Sequence, residues 1–490
     1  MTDIPLPPEN ESPGYFFPGW ISRISKNRTL AFRDGNLLVT EHKDSVFDIP
    51  TLDALYACVF AYDLLTFVES ILDLPWLEQA QAQYKAVIFC TRQGIPTALQ
   101  LHGKKGGHHC TRWLICSASW QQKHPNVMLL KRLRLLFEHC GVGTANTPAG
   151  LGMALQKRAF YETYGEDWGA HKHPLPPYRC VEDLRALSTG ARSDQLAETT
   201  LTFDVVHELD MKNGYAASFV EQPTGPTIGH DGRFLEQYAT FVSHCTIEIT
   251  TALVLGCFPV RVHTGTEVTV HYPTEPGTYE SFLWREEIEL IRQKGCIVEP
   301  GSGWGWLTMT RDNARFAELM TTLRDTAPDQ IVDWIKLAIV ASIGRHGSSW
   351  LSTTLVPEGE QSPGDLEASW GGLAYDWYIH SAMSHIPETM QHWFSYTLMQ
   401  CRLALYKEAL PYAEKKQLLA TNTDGIYVKE EADVSGYIEK QEAKGTPAGT
   451  WRKSTLHKKD DEPMFPALRH LVSQEKVRRP GVPREEKNES

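Results

Sequence analysis

Two aspartates in this chain stand where a carboxylate could bind a hard cation. Leu201, Phe203 and Val205 alternate as a strand does, and Asp210 ends that strand. Met211-Lys212-Asn213-Gly214-Tyr215 follows, where a helix can begin. Asp424 sits at the tip of Asn422-Thr423-Asp424-Gly425, between the apolar runs Leu418-Leu419-Ala420 and Ile426-Tyr427-Val428. That pattern is the signal of a hairpin around a tight Asp-Gly turn. Each position places a carboxylate at a sheet edge on a rigid element. On neighbouring strands the two could hold a pair of metal ions about 3.5–4 Å apart, the arrangement used for in-line phosphoryl transfer. One ion lowers the pKa of an attacking hydroxyl, and the other neutralises a leaving pyrophosphate. Taken singly, either Asp is a common turn or cap residue.

A third element makes the pair informative. Lys336 lies on a predicted helix, KLAIVASIG, and Arg324 at the end of the helix before it. Positive side chains on a helical hairpin can clamp a triphosphate. Without the other two elements they would read as a surface Lys and an Arg favoured by the helix macrodipole.

The elements that must position these residues follow from periodicity and turn chemistry. Asp312 can cap a helix over 313–324, with Phe316, Leu319, Met320 and Leu323 on one face. Pro328 breaks it, and a second helix is expected from about Gln330 to Ile343. Pro387 to Leu410 reads as a long helix with Met390, Phe394, Leu398, Cys401 and Leu405 on its buried side. Trp284 to Lys294 is a helix stopped by Gly295, and 258–272 is strand-like. Upstream, Ala86-Val87-Ile88-Phe89 and Trp113-Leu114-Ile115-Cys116 read as buried strands, and Leu52–Leu74 and Val127–His139 as helices. The Gly-, Pro- and Tyr-rich segment 141–177 reads as a linker, and 346–385 as an insertion rich in Gly, Ser, Trp and acidic residues.

Length and composition set the bounds. The chain has 490 residues, 42% hydrophobic and 22% charged, enough for two to four domains. No apolar run approaches the roughly 20 residues a membrane helix needs. The start, MTDIPLPPENESPGYFFPGW, lacks the basic and apolar regions of a signal peptide, so a cytoplasmic location is expected. Ten cysteines without paired spacing predict reduced thiols. His108-His109-Cys110 with Cys116 are zinc-ligand types, yet no second ligand pair stands at a finger-like distance. The net charge of -12 argues mildly against nucleic-acid binding, though an enzyme needs positive charge only along its duplex track. Arg452-Lys453 with Lys458-Lys459, and Lys476 through Arg484, are basic stretches that read as a solvated face and a disordered tail.

The order of three short motifs carries a resemblance. Asp-x-x-x-Gly-Tyr at 210–215, Lys-x7-Gly at 336–344 and Asn-Thr-Asp-Gly at 422–425 resemble the A, B and C motifs of family-B DNA polymerases. The spacing most resembles the protein-primed branch found in phages, other viruses and linear plasmids. Ser188-Thr189-Gly190-Ala191-Arg192 is similar to the motif that links exonuclease and polymerase domains in that family, and the resemblance covers about 140 to 430.

The resemblance implies an α+β multidomain protein: a right-hand polymerase with palm, fingers and small thumb behind an N-terminal exonuclease-like (RNase H-like) α/β domain. Its parts would be a leader at 1–20, a degenerate exonuclease-like domain at 21–145, and a linker with the start of the palm at 146–221. Palm with a first, terminal-protein-type insertion would span 222–305, the fingers hairpin 306–345 and a second insertion 346–385. Palm again at 386–430, thumb at 431–475 and a disordered tail at 476–490 complete the expectation. Asp210 and Asp424 would be the catalytic, metal-binding carboxylates for two Mg2+ ions, with Mn2+ as an alternative. Tyr215 would pack under the incoming sugar and leave no room for a ribose hydroxyl. Met211, Lys212, Asn213 and Gly214 would lie near the triphosphate, Arg324 and Lys336 would bind its phosphates, and Gly190 and Arg192 would hold the template strand. The implied partners are primer-template DNA, deoxynucleoside triphosphates and a terminal protein primer, on a monomer without membrane contact. In a virus the location would be the host cytoplasm.

The chain departs from the family pattern in five places, the first being Gly214-Tyr215-Ala216 where the family has Leu-Tyr-Pro. Asn422 stands where the family has a first Asp; its amide keeps an acceptor but loses a charge. Glu208, two residues before Asp210 on the same strand face, is a candidate to supply that charge. The second motif reads Val340-Ala341-Ser342-Ile343-Gly344 and lacks its tyrosine, and Lys453-Ser454-Thr455 stands where a Lys-x-Tyr is expected. No Asp-x-Glu occurs on a strand before residue 140; Asp48, Asp53, Asp63 and Asp73 have the spacing of helix faces and caps, so a dead or weakened exonuclease is expected. The expected function is template-directed addition of deoxynucleotides by a two-metal mechanism, in the protein-primed replication of a viral or mobile genome. Two alternatives remain open: a polymerase-like protein that binds DNA or terminal protein without catalysis, and a primer-independent nucleotidyltransferase.

Overall fold

The computed structural model describes residues 28–41, 46–74, 77–84, 86–90, 95–105, 108–166, 173–174, 176–187, 193–195, 203–230, 255–264, 277–293, 295–347, 351–357, 366–370, 377–383, 390–422 and 424–457. The leader and the tail expected from sequence lie outside these residues. The chain divides into two compact units, 1–168 with 326–389, and 169–325 with 390–490.

The first unit is built on one long sheet. Its strands run in the order Leu366–Trp370, Trp377–Met383, Leu351–Pro357, Val87–Cys90, Pro96–Lys105, His108–Cys116, Leu64–Val68, Thr29–Asp34, Leu37–Thr40 and Val46–Asp48. Thr29–Asp34, Leu64–Val68 and His108–Cys116 are parallel neighbours. The parallel strand Leu64–Val68 is buried at every residue, as parallel strands covered on both faces are. This corrects the expectation of one helix over Leu52–Leu74. The helix is Leu52–Ala61, capped by Thr51, and a turn with Asp63 at φ +53° leads into the strand. An apolar run such as Leu-Leu-Thr-Phe-Val looks the same by periodicity in a buried strand and a buried helix. The segment read as an insertion at 346–385 contributes three antiparallel strands, which join this sheet through the pairing of Leu351–Pro357 with Val87–Cys90.

The expected linker at 141–177 holds a helix instead. Pro148–Tyr164 starts on Thr147, whose side chain accepts from the Gly150 N–H at 3.1 Å, and it ends at Gly165 with φ +70°. Thr147-Pro148 is an N-cap followed by the favoured first helical residue, so a proline that added to the linker reading is a helix start signal. Gly152 serves packing: a Cβ there would lie 2.4 Å from the Ala338 carbonyl oxygen and from the Ser342 Cβ. Only glycine lets this helix press so closely on Val332–His346. His346 and Gln156 add a buried hydrogen bond at 3.0 Å across the same contact.

In the second unit a six-stranded sheet runs Ile438–Glu439, Trp451–His457, Val205–Met211, Gly425–Lys429, Leu418–Asn422 and Ser193–Gln195. The long helix Gln391–Glu414 packs behind it, with Leu405 and Ala409 against Leu209, Ile426 and Val428. A second sheet joins Leu255–Thr264 to Gly277–Trp284, Ile297–Pro300 and Gly303–Trp306. Its helix Arg285–Gln293 is tied to the long helix by a buried ion pair, Arg402 Nε to Glu287 Oε1 at 2.8 Å. The predicted helix over 313–324 is Ala314–Thr326. Just ahead of it, Asp312 Oδ2 lies 2.9 Å from His173 Nε2, and the Ala317 N–H donates to the Asn313 carbonyl at 3.0 Å. Among the described residues no helix is long and apolar enough to cross a membrane.

Candidate active site

In the central strand Val205–Met211, Leu209 and Met211 are buried on one face; on the other, Val206 is buried and Glu208 and Asp210 are half-buried. Its register brings the two sequence-predicted aspartates together. Asp210 lies directly across from Gly425 on one side, and the Met211 N–H donates to the Asp424 carbonyl at 2.9 Å. The Asp424 carboxylate stands beside the turn that follows: a Cβ on Gly214 would be 3.3 Å from Asp424 Cβ and 3.5 Å from its Oδ2. A side chain at Gly214 would crowd that carboxylate, which is a physical reason for glycine here.

On its other side Asp210 pairs in register with Arg452. Arg452 grips both carboxylate oxygens, Nε to Oδ1 at 3.1 Å and Nη2 to Oδ2 at 2.6 Å, and Lys440 Nζ stands 3.6 Å from Oδ2. Arg452 is 9% exposed, so the sequence reading of Arg452-Lys453 as a solvated face is corrected at its first residue. Glu208 shares the face of Asp210: Lys440 Nζ is 3.2 Å from its Oε2, which also accepts from Ser454 Oγ at 2.8 Å. Arg452 and Lys440 were missed because their partners are some 230–240 residues away. A strand reading of Trp451–His457 would have aligned Arg452 with the motif strand.

The turn after Asp210 is fastened by its side chains. Lys212 is 2% exposed and donates from Nζ to Asp325 Oδ2 at 2.6 Å and to the Ala443 and Thr446 carbonyls at 2.8 Å. Asn213 sits in the left-handed region at φ +50°, donates to Thr321 Oγ1 at 3.1 Å and accepts from Arg324 Nη1. Arg324 is therefore held at the end of its helix by the motif turn itself. Burial lowers its guanidinium below the usual value and Arg452 adds to this, whereas Asp210, Asp325 and Asp424 favour the charged form. These charges act within one electrostatic neighbourhood.

Tyr215 is half-buried in the short helix Gly214–Ser218. Burial pushes its phenol up, Cys401 and Asp424 add to the rise, and Arg402 opposes it. Its floor is the long helix, where the buried Cys401 Sγ lies 3.2 Å from Ser218 Oγ.

The remaining predicted residues are placed less fully. Lys336 is exposed on Val332–His346, in the first unit. Asn422 pairs across the hairpin with Gly425 and on its outer side with Ser193. Gly190, Arg192 and Thr423 lie outside the described residues.

The donor set fits a hard cation in a particular way. Two carboxylates at adjacent strand ends supply oxygen ligands only, and among the described residues no three His, Cys, Asp or Glu converge on a metal-sized site. Such a site suits an ion that completes its shell with water and substrate phosphates rather than one caged by protein. Both Asp210 oxygens already serve Arg452, so a cation there must share or displace the guanidinium.

No protein-family model matches this chain, and no curated protein matches its sequence. Solved structures do match. Phi29 DNA polymerase complexed with single-stranded DNA aligns with a TM-score of 0.63 and 14% identity, over 88% of this chain and 85% of that one. Its complex with primer-template DNA and incoming nucleotide gives 0.63 and 13%, over 88% and 86%. Its binary complex with primer-template DNA gives 0.62 and 12%, over 88% and 85%. At such identity the likeness is one of fold. The chain has the multidomain, mixed α/β fold of phi29 DNA polymerase, and the resemblance drawn from the three motifs holds at that level.

Proposed function

We propose that this protein is a DNA-directed DNA polymerase that adds deoxynucleotides to a primer on a template. The observation that carries the proposal is the meeting of Asp210 and Asp424 at adjacent strand ends, beside a buried Arg, in a chain with a polymerase fold. In the reaction the primer hydroxyl attacks the α-phosphorus of the nucleotide. A new P–O bond forms, the bond to the β-phosphate oxygen breaks, and pyrophosphate leaves. Asp210 and Asp424 would hold two Mg2+ ions, which would supply an activated hydroxyl and charge neutralisation for the leaving group.

The chain's own residues do the rest. Arg324 presents a guanidinium to the triphosphate, and Asn213 fixes where it points. Lys336 would add a second positive charge. Tyr215 presents its ring to the sugar and excludes a 2′-hydroxyl. Arg452 neutralises Asp210 while the site awaits substrate and exchanges that role with the incoming charges. The six-stranded sheet would be the palm, the helices Ala314–Thr326 and Val332–His346 the fingers, and the 431–475 segment the thumb. The parallel centre of the first unit's sheet supports reading it as the RNase H-like, exonuclease-type domain. Its Asp63 is committed to Arg28 and Arg112, which supports lost or weakened proofreading. Protein priming and replication of a viral or mobile genome rest on the motif spacing and the fold likeness, and Gly190 and Arg192 keep their proposed hold on the template.

Primer extension tests the proposal. Asp210→Ala and Asp424→Ala should each abolish extension while wild type extends; full activity in either variant removes the assigned site. A second reading, binding without catalysis, is favoured by the bidentate Arg452–Asp210 pair and by Asn422. It predicts primer-template binding with no incorporation under Mg2+ or Mn2+.

A further inference from the structure

Among the described residues, every side-chain hydrogen bond of Arg452 ends on Asp210. The sheet fixes this pairing, because the two are direct cross-strand partners on Trp451–His457 and Val205–Met211. The guanidinium is buried, so water does little to satisfy it. Lys440 differs. It is exposed, and its Nζ lies 3.2 Å from Glu208 Oε2 and 3.6 Å from Asp210 Oδ2. It keeps a carboxylate partner whatever becomes of Asp210. Arg452 does not.

The formal charges of the site cancel. Glu208, Asp210 and Asp424 are opposed by Arg324, Lys440 and Arg452, and Lys212 is matched by Asp325. The two arginines are close enough to act on each other: Arg452 disfavours the charged form of Arg324, and Asp210 and Asp424 favour it. A bare divalent cation therefore meets no excess of negative charge here, and a bare triphosphate meets no excess of positive charge. Giving Asp210 over to a cation changes that balance. It leaves Arg452 buried and without its partner beside a second guanidinium, which is strongly unfavourable unless an anion arrives with the cation.

We propose that Arg452 is a second phosphate-binding guanidinium, held by Asp210 in the free protein and released to the incoming triphosphate when that carboxylate takes a divalent cation. The inference rests on the polymerase reading of the site. Arg324 is the fixed half of the clamp, because Asn213 accepts from its Nη1. Arg452 is the movable half: its long side chain swings while its backbone stays in the sheet. Cation and triphosphate enter together as a nearly neutral unit, and each raises the affinity for the other. Lys440 stays with Glu208. The bidentate pair is thus the resting state of the site and not a block on it.

The exchange is tested first without metal, on the full chain in EDTA, with 2-aminopurine deoxyribonucleoside triphosphate as the fluorescent probe. Asp210→Ala should bind the probe about tenfold more tightly than wild type, because it frees Arg452. Asp210→Ala combined with Arg452→Gln should lose that gain. Asp210→Ala combined with Lys440→Gln has the same net charge and should keep most of it. No gain in Asp210→Ala, or an equal loss in both double variants, would overturn the proposal. A second readout needs no substitution at Asp210 and no turnover: Mn2+ bound to the nucleotide-free protein, measured by electron paramagnetic resonance. Arg452→Gln should bind Mn2+ about tenfold more tightly than wild type, because it leaves the carboxylate open. Unchanged Mn2+ affinity would equally overturn the proposal. Primer extension separates this failure from failure of the site. Extension lost in Asp210→Ala with both affinities unchanged removes the exchange and leaves the polymerase reading; extension undiminished in Asp210→Ala removes the reading.

Discussion

Asp63 in the first unit and Asp210 in the second are near twins by local measures. Their side chains are 15% and 17% exposed, and each lies between two cations. Arg112 Nε stands 3.1 Å from Asp63 and Arg28 Nε 3.7 Å; Arg452 Nη2 stands 2.6 Å from Asp210. The difference lies in what surrounds the pair. Asp63 occupies a left-handed turn that feeds a buried strand, and Arg112 is itself buried against the Phe60 ring at 5.3 Å. Asp210 ends its strand beside a second carboxylate, a half-buried tyrosine and Arg324. Burial and pairing thus mark both a structural acid and a candidate catalytic one. The second carboxylate tells them apart.

That comparison can be broken by exchanging the phenotypes. Asp210→Ala should reduce primer extension at least about a thousandfold, in keeping with loss of a group whose interaction is made in the transition state. It also leaves buried Arg452 without its bidentate partner, so its stability should fall and extension is compared per folded molecule. Asp63→Ala strands buried Arg112 and should likewise cost roughly 3 kcal/mol in urea unfolding, but extension is kept by the folded fraction. Extension lost in Asp63→Ala at full stability would show that the two acids are not functionally distinct.

The polar turn of the second unit sharpens the contrast with the apolar first unit. Lys212→Met removes a buried ammonium from Asp325 and two carbonyls, and should cost about 3–5 kcal/mol. It should also raise the KM for nucleotide, because Asp325 adjoins Arg324. In the first unit Gly152→Ala should cost about 1–3 kcal/mol through overpacking against Ala338 and Ser342. Both are read by denaturant midpoints, and only the first should move KM.

The smallest effect compares one buried thiol from each unit. Burial pushes Cys140 and Cys401 up to about 12. In the unfolded chain these thiols ionise near the ordinary value of about 8.5. The unfolded state therefore holds fewer protons above that pH, and stability falls as pH rises towards 12. Each thiol contributes at most about 1.4 kcal/mol per pH unit to that fall. Cys140→Ala and Cys401→Ala should each flatten the alkaline limb of the stability curve relative to wild type, and an unchanged limb would contradict the burial of these groups.

How far the sequence could be read varied with the range of the interactions. The Asp-Gly hairpin at 424 was legible because turn chemistry is local; the strand carrying Asp210 starts only at Val205, so the alternation of Leu201, Phe203 and Val205 did not mark its body. The helix Val127–Cys140 was found almost to the residue for the same reason: Asn126 caps it and Gly141 ends it. The helix Pro148–Tyr164 was missed because Gly152 is there for a neighbour 186 residues away, a reason invisible in local propensity. The candidate site was half legible. Asp210, Asp424 and Tyr215 came from motifs, whereas Arg452, Lys440 and Asp325 enter only through cross-strand register and long-range ion pairs.

Template choice tests the central claim most directly. Wild-type protein is given a primer on each of four templates that differ in the first unpaired base, with one labelled deoxynucleotide at a time. The account predicts that only the complementary nucleotide is added in each case, and that Asp424→Ala adds none. Addition irrespective of the template base, or complementary addition undiminished in Asp424→Ala, would contradict it.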